Sequence, residues 1–263
     1  MLSFNQYVRA QSLEEAYALC QKKANVVLGG MLWLKMQNRT VGAVIDLCDL
    51  GLDQIEESES EYRIGAMVSL RRLETHAGLN ALTQGAMAES VKNIVGVQFR
   101  NVATVGGSIF GRFGFSDVLT LFMALDAKVE LYHAGIMGVK EFAQLPHQIR
   151  DILVRVIVPK TERKTVYLSM RNTATDFPVL TCALSVLGGR YSCVIGARPM
   201  KAALYEDEKG LLAEEITPIT AAAFAEDVAS RADFDSNIRG SAGYRRTICE
   251  VLVRRSVLAL QEV

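Results

Sequence analysis

The stretch NVATVGGSIFGRFGFSD, residues 101–117, sets four glycines, an arginine and an aspartate between two apolar runs. The whole chain carries 20 glycines in 263 residues, so four in this short span need a physical reason. Without a Cβ, glycine lets backbone N–H groups turn toward a ligand, and such turns cradle phosphate oxygens. A second pair, Gly29 and Gly30 in VVLGGML at 26–32, stands where another β-branched run stops. Two such turns suit a pyrophosphate gripped from both sides. A plain tight turn is the competing account of either pair, and LGGR at 187–190 reads as a hairpin turn in this same chain. Neither pair fits G-x-G-x-x-G or the Walker pattern.

Bulk composition narrows the partners. Lys plus Arg and Asp plus Glu both number 29, giving a formal net charge of zero and no basic surplus for nucleic acid. Half the residues are hydrophobic, enough for a sizeable core, and the length is comfortable for two domains. The five cysteines, Cys20, Cys48, Cys182, Cys193 and Cys249, never fall at the close spacing of zinc or iron–sulfur sites. The opening residues lack a basic segment followed by an apolar one, and no uncharged run is long enough for a bilayer. A soluble cytoplasmic protein with reduced thiols, no bound metal and no membrane contact is the expectation.

Periodicity gives the order of elements. Ser12 with Glu15 forms a capping-box pattern before a helix at 12–22, followed by a strand at NVVL, a helix at MLWLKMQ and a strand at AVIDL. After a polar acidic stretch, RIGAMVSLRRLETH reads as a strand leading to a helix capped by Ser69, and ALTQGAMAESVKNIV as one amphipathic helix. VLTLFMALDA is apolar enough for a buried helix; KVELY and ILVRVIVP are strands, and Pro159 with KTERK marks a boundary. Three strands follow, TVYLSMR, PVLTCALSVLGG and YSCVIGA. Two helices close the chain, the first with Thr217 as cap and Pro218 at its first position. The fold class is α+β.

The wider pattern resembles the FAD-binding medium subunit of the molybdenum hydroxylases, the group that includes xanthine dehydrogenase and carbon monoxide dehydrogenase. That family's first loop, Ala-Gly-Gly-Thr after a short strand, is matched by Leu28, Gly29, Gly30 and Met31. Its second, Gln-x-Arg-Asn-x-x-Thr-x-Gly-Gly-Asn, is matched by Gln98, Arg100, Asn101, Thr104, Gly106 and Gly107, with Ser108 in the last polar place. Ser116 and Asp117 match a Ser/Asp-leucine segment, LTLFMALDAKVEL reads like the family's LLALDAEVVL, and RNTATDFPVLTCAL and IRGSAGYRRTICEVLVRRSV look like the start and close of its C-terminal domain.

The resemblance implies a two-lobed FAD-binding domain of the PCMH type over 1–160, with a small lobe at about 1–55 and a larger one at about 56–160. A C-terminal α+β domain over 161–263, built on a three-stranded antiparallel sheet with helices, would follow. It implies FAD held noncovalently, with the backbone of Leu28, Gly29, Gly30, Met31 and Leu32 and of Thr104 through Gly106, Gly107 and Ser108 around the pyrophosphate. Asp117 would accept from the adenosine ribose, although a carboxylate opening a helix is by default a cap. Met31 and Ser108 depart from the family's hydroxyl and amide. Arg112 offers a charge beside the pyrophosphate, and Phe113, Phe115 and Trp33 serve either the cofactor or the core.

The implied activity is that of an electron-transferring oxidoreductase subunit, xanthine dehydrogenase-like, with no catalytic acid–base residue of its own. Electrons would arrive from an iron–sulfur subunit, itself fed by a molybdopterin subunit, and leave FAD for NAD+ or another acceptor. Two alternatives stand beside it: a stand-alone FAD-dependent oxidoreductase, and a flavin-free assembly scaffold. Arg245, Arg246, Arg254 and Arg255 read as a solvated helix face.

Overall fold

The computed structural model describes residues 1–262. Its first unit contains β1 (Ser3–Arg9), α1 (Leu13–Cys20), β2 (Val26–Leu28), a 3-10 turn at Leu34–Met36 and β3 (Thr40–Asp46), with the strands in a parallel sheet of order β1-β3-β2. Ser12 caps α1 by accepting from the Glu15 amide, and the Glu15 carboxylate accepts the Gln11 amide in return. β1 escapes the sequence pattern because it is an edge strand with mostly exposed residues, Phe4 and Tyr7 among them. The helix expected at MLWLKMQ shrinks to one turn because Met31 takes a left-handed φ of +60° at its start.

Next come β4 (Ile55–Glu57), β5 (Glu61–Gly65), α2 (Leu70–Thr75), α3 (Ala77–Leu82), α4 (Ala86–Lys92), α5 (Val97–Val102), α6 (Val105–Phe110) and α7 (Asp117–Ala124). β6 (Lys128–Leu131), β7 (Gly135–Gly138), α8 (Val139–Gln144) and β8 (Leu153–Pro159) complete an antiparallel sheet of order β4-β5-β8-β6-β7. Ser69 caps α2 as its position suggested. The single amphipathic helix expected over 81–95 divides into α3 and α4, because Gln84 and Gly85 turn the chain with φ of +49° and +83°.

The remaining strands, β9 (Lys164–Arg171), β10 (Pro178–Leu187), β11 (Arg190–Gly196) and β12 (Ala203–Glu206), form an antiparallel sheet of order β12-β11-β10-β9. The sheet has four strands, not three; ALYE is too short and too half-buried to show a pattern. Gly188 and Gly189, with φ of +55° and +78°, make the hairpin turn. α9 (Pro218–Arg231) and α10 (Ala242–Ala259) pack on one face through Leu180, Cys182, Leu184, Phe224 and Val253. α7 lies on the other, where Thr120 and Thr181 hydroxyls meet at 3.0 Å and the Ser185 hydroxyl donates to the Ala124 carbonyl at 2.7 Å. Covered on both faces, β10 is buried along most of its length, which explains its unbroken apolar run.

Two arginines act as internal struts. Arg245, expected on a solvated face, is fully buried: its guanidinium donates to the carbonyls of Val179 at 2.9 Å, Asp235 at 2.7 Å and Gly240, and to Asn237 Oδ1 at 2.6 Å. Arg246, Arg254 and Arg255 are exposed as expected. Arg100 grips Glu74 through two bonds of 2.7 and 3.1 Å and donates to the carbonyls of Ile94 and Val95. Burial works to raise the Glu74 carboxyl, but the guanidiniums of Arg100 and Arg71 outweigh it and hold it below its ordinary value. A carboxyl depressed in the folded state stabilises above its unfolded pKa of about 4.3 and stops doing so as pH falls through the folded value. Arg100→Met is therefore expected to lower unfolding free energy by about 3–5 kcal/mol at pH 7. In urea titrations its deficit relative to the wild type should shrink on acidification.

Candidate functional site

Where β2 ends, the first Gly-Gly pair runs directly against the segment that enters α6. Gly29 lies beside Thr104 and Gly107, with a position for a Cβ only 2.6 Å from Thr104 Oγ1 and 3.7 Å from Gly107 Cα. At Gly30 a Cβ would stand 2.0 Å from the Val102 carbonyl oxygen, and at Gly106 it would stand 2.7 Å from that of Ala66. The two pairs, far apart in sequence, thus meet in one place, and at Gly30 and Gly106 glycine is required by backbone contact. Beside them opens a cavity of about 440 Å³, within the usual range for small-molecule sites. Leu28, Gly29, Gly30, Met31, Leu32, Thr104, Gly106, Gly107, Ser108 and Asp117 all line it.

The two loops offer different chemistry. None of the six amides from Gly29 to Leu34 donates to another described protein group, and all six residues line the cavity. Consecutive unpaired N–H groups beside a cavity form an anion cradle. The second loop spends its amides internally: Val105 donates to the Val68 carbonyl at 2.9 Å, Gly106 to Ala66 at 2.7 Å, Gly107 to Thr104 Oγ1 at 3.1 Å and Ser108 to the Thr104 carbonyl at 3.1 Å. Its glycines therefore make room, while the first loop holds the free donors. Gln98 and Asn101, from the same motif, lie outside the cavity wall, and Arg100 is the strut already described.

Asp117 occupies the first position of α7, with Ser116 as the cap. Its Oδ1 accepts the Tyr167 hydroxyl at 2.6 Å and the Arg171 guanidinium. Burial pushes the carboxyl upward, against the pull of Arg171 and Tyr167, and burial likewise raises the Tyr167 hydroxyl. Arg112 does not stand beside the glycine loops. It is buried, donates to the carbonyls of Leu145 and Phe110, and lies over the Phe142 ring at 4.9 Å.

The aromatic residues resolve toward the cavity. Trp33, Phe113, Phe115 and Phe177 line it as one cluster, with Trp33 5.5 Å from Phe115 and 5.4 Å from Phe177. Phe113 and Phe115 stack at 5.2 Å, and Arg239 lies 4.6 Å over Phe177. Sequence reasoning missed Arg171, Thr175, Asp176 and Phe177, which line the cavity from beyond residue 160; RNTATDFP carried only its likeness to the opening of a C-terminal domain. It also missed Ile94 and Val95. Met31, Val95 and Thr175 line the cavity with φ of +60°, +49° and +70°. For β-branched residues this is a rare and costly conformation, of a kind that gathers at ligand sites.

Several features bear on which group fits. The cavity provides unpaired amides for an anion, a buried acceptor at Asp117 and an aromatic wall for a planar ring. No cysteine or histidine lines it. Among the described residues no group of three or more His, Cys, Asp or Glu side chains is placed for a metal ion, and no helix is long and apolar enough to cross a membrane.

Residues 2–161 match the family model described as "FAD binding domain in molybdopterin dehydrogenase". The chain is 25% identical to a glyceraldehyde dehydrogenase medium chain from Sulfolobus acidocaldarius, covering 95% of this chain and 96% of the relative. It is 26% identical to a nicotine 6-hydroxylase medium subunit from Paenarthrobacter nicotinovorans, covering 96% and 95%. Among solved structures, a carbon monoxide dehydrogenase from Hydrogenophaga pseudoflava that lacks the Mo-pyranopterin moiety superposes with a TM-score of 0.88 at 23% identity, over 99% of this chain and 98% of that one. A quinoline 2-oxidoreductase from Pseudomonas putida 86 gives a TM-score of 0.86 at 20% identity, over 100% and 98%.

Proposed function

Because the chain belongs to the FAD-binding domain family of molybdopterin dehydrogenases, with FAD as its cofactor, we propose that it is the electron-relay subunit of a xanthine dehydrogenase-like complex. In this reading an iron–sulfur subunit, fed by a molybdopterin subunit, delivers electrons to this chain, and NAD+ or another acceptor removes them. The complex works in the cytoplasm. Residues 1–160 are the FAD-binding domain, divided at about residue 55, and residues 161–263 are the C-terminal domain.

The observation that carries this reading is the run of unpaired amides from Gly29 to Leu34 beside a cavity that also holds Asp117 and the aromatic cluster. FAD supplies the redox chemistry when bound; the protein's share is to bind, orient and shield it. Gly29 to Leu32, directly after Leu28 at the end of β2, give the pyrophosphate its donors, and Gly106 and Gly107 let the second loop approach without side chains in the way. Thr104 and Ser108 complete that wall. Asp117 Oδ2, which receives no hydrogen bond from a described protein group, accepts from the adenosine ribose. Trp33, Phe113, Phe115 and Phe177 cover the planar part of the cofactor and exclude water from it.

Titration of deflavinated chain with FAD is expected to give a Kd of about 1 μM or tighter, roughly −8 kcal/mol or stronger. The absence of flavin absorbance after reconstitution would leave a flavin-free scaffold as the better reading. Purification from the native host is expected to bring down iron–sulfur and molybdopterin subunits, whereas recovery of a flavin-loaded chain alone would favour a stand-alone oxidoreductase.

A further inference from the structure

Asp117 stands in the cavity, but the groups that hold it come from a different part of the chain. Tyr167 and Arg171 both lie on β9, beyond the residues 2–161 that match the FAD-binding family. They converge on one oxygen, Oδ1. Arg171 is itself fixed: a second arm donates to the Asp176 carbonyl, and its Nε is buried without an acceptor. The Asp176 carboxylate accepts the Phe177 amide at 2.7 Å and faces Arg239 at 3.4 Å. The charged and titratable groups around Asp117 are therefore Tyr167 and Arg171 from β9, and Asp176, with Arg239 behind it, from the segment that follows.

Resting on the FAD reading above, we infer that Arg171 is a positioning residue for the cofactor: it keeps the Asp117 carboxylate ionised and turned so that Oδ2 stays free for the ribose hydroxyls. An ionised carboxylate only accepts hydrogen bonds, as a pair of hydroxyl donors requires. A carboxylate this deeply buried without a cation beside it neutralises instead, and then one oxygen carries a proton. Tyr167 alone supplies a hydrogen bond but no charge. The C-terminal sheet thus takes part in cofactor recognition through a side chain that does not itself need to touch FAD.

The test is FAD affinity measured by fluorescence titration of deflavinated full-length chain between pH 6 and pH 9. Wild type is expected to bind with nearly the same affinity throughout. Arg171→Met is expected to bind at least tenfold more weakly at pH 7 and to recover affinity as pH rises, because the ionised carboxylate is the stronger acceptor and carries no proton on the oxygen that faces the ribose hydroxyls. Arg171→Lys should restore a flat profile. An Arg171→Met chain with wild-type affinity, or one weakened equally at every pH with lysine no better, overturns the proposal. Should Arg171→Met fail to fold, Tyr167→Phe, which removes the other donor to Oδ1, is expected to bring in a weaker pH dependence of the same sign. A flat profile there overturns it too. Failure of the wild-type chain to bind FAD would instead overturn the FAD reading.

Discussion

Alanine at Gly30 is expected to weaken FAD binding at least 100-fold, an effect of about 2.7 kcal/mol or more. The added methyl would lie 2.0 Å from the Val102 carbonyl oxygen and 2.7 Å from its carbon, and both are backbone. No side chain can rotate out of the way, so the first loop must move off α5, taking the unpaired amides of Gly29 to Leu34 with it. Overpacking of this kind costs about 1–3 kcal/mol in stability, leaving a folded chain with a displaced cradle. Gly243→Ala is the control: in α10, with nothing near its Cβ position, it should leave affinity unchanged. Flavin retained per chain and Kd by fluorescence titration report the outcome, and wild-type affinity in Gly30→Ala would remove the first loop from the site.

Replacing Arg245 with methionine is expected to destabilise the chain by about 4 kcal/mol or more, lowering Tm by roughly 10 °C. The side chain is buried and satisfies three carbonyls and the Asn237 side chain, which tie α10 to β10 and to the segment before α10. Methionine fills much of the volume but leaves these acceptors without donors in a site that excludes water. Arg254→Ala, an exposed position two turns further along α10, should stay within about 0.5 kcal/mol of wild type. Thermal and urea unfolding of the pair measure the difference directly, and equal losses would mean that the Arg245 hydrogen bonds contribute nothing net.

The contrast between those arginines shows what was legible in the sequence. Helical periodicity placed a closing helix where α10 stands, because apolar residues recur between the arginines. The burial of Arg245 has no such signature, since its partners are mostly backbone carbonyls, which every sequence offers equally. The glycine pairs were legible as two turns presenting amides to an anion, but only the first keeps its amides free, because the Val68 and Ala66 carbonyls take those of Val105 and Gly106. Asp117 was legible as a helix-opening carboxylate. Its pairing with Arg171 was not, because that contact spans 54 positions and crosses the expected domain boundary. β12 and the break at Gln84 and Gly85 were missed for local reasons: one is too short for periodicity, the other a left-handed turn inside an apolar pattern.

The reach of Arg171 and Phe177 into the cavity has a consequence for how the protein is made. A ribosome reads residues 28 to 117 first, so both glycine loops and the helix bearing Asp117 emerge before any of β9 exists. Until residue 178 clears the exit tunnel, the cavity lacks Arg171 and one wall of its aromatic cluster. If this cavity holds FAD as proposed, cofactor capture is expected to come late in biogenesis. A chain truncated after residue 161 is expected to retain less flavin than the full-length chain when both are purified with FAD in excess.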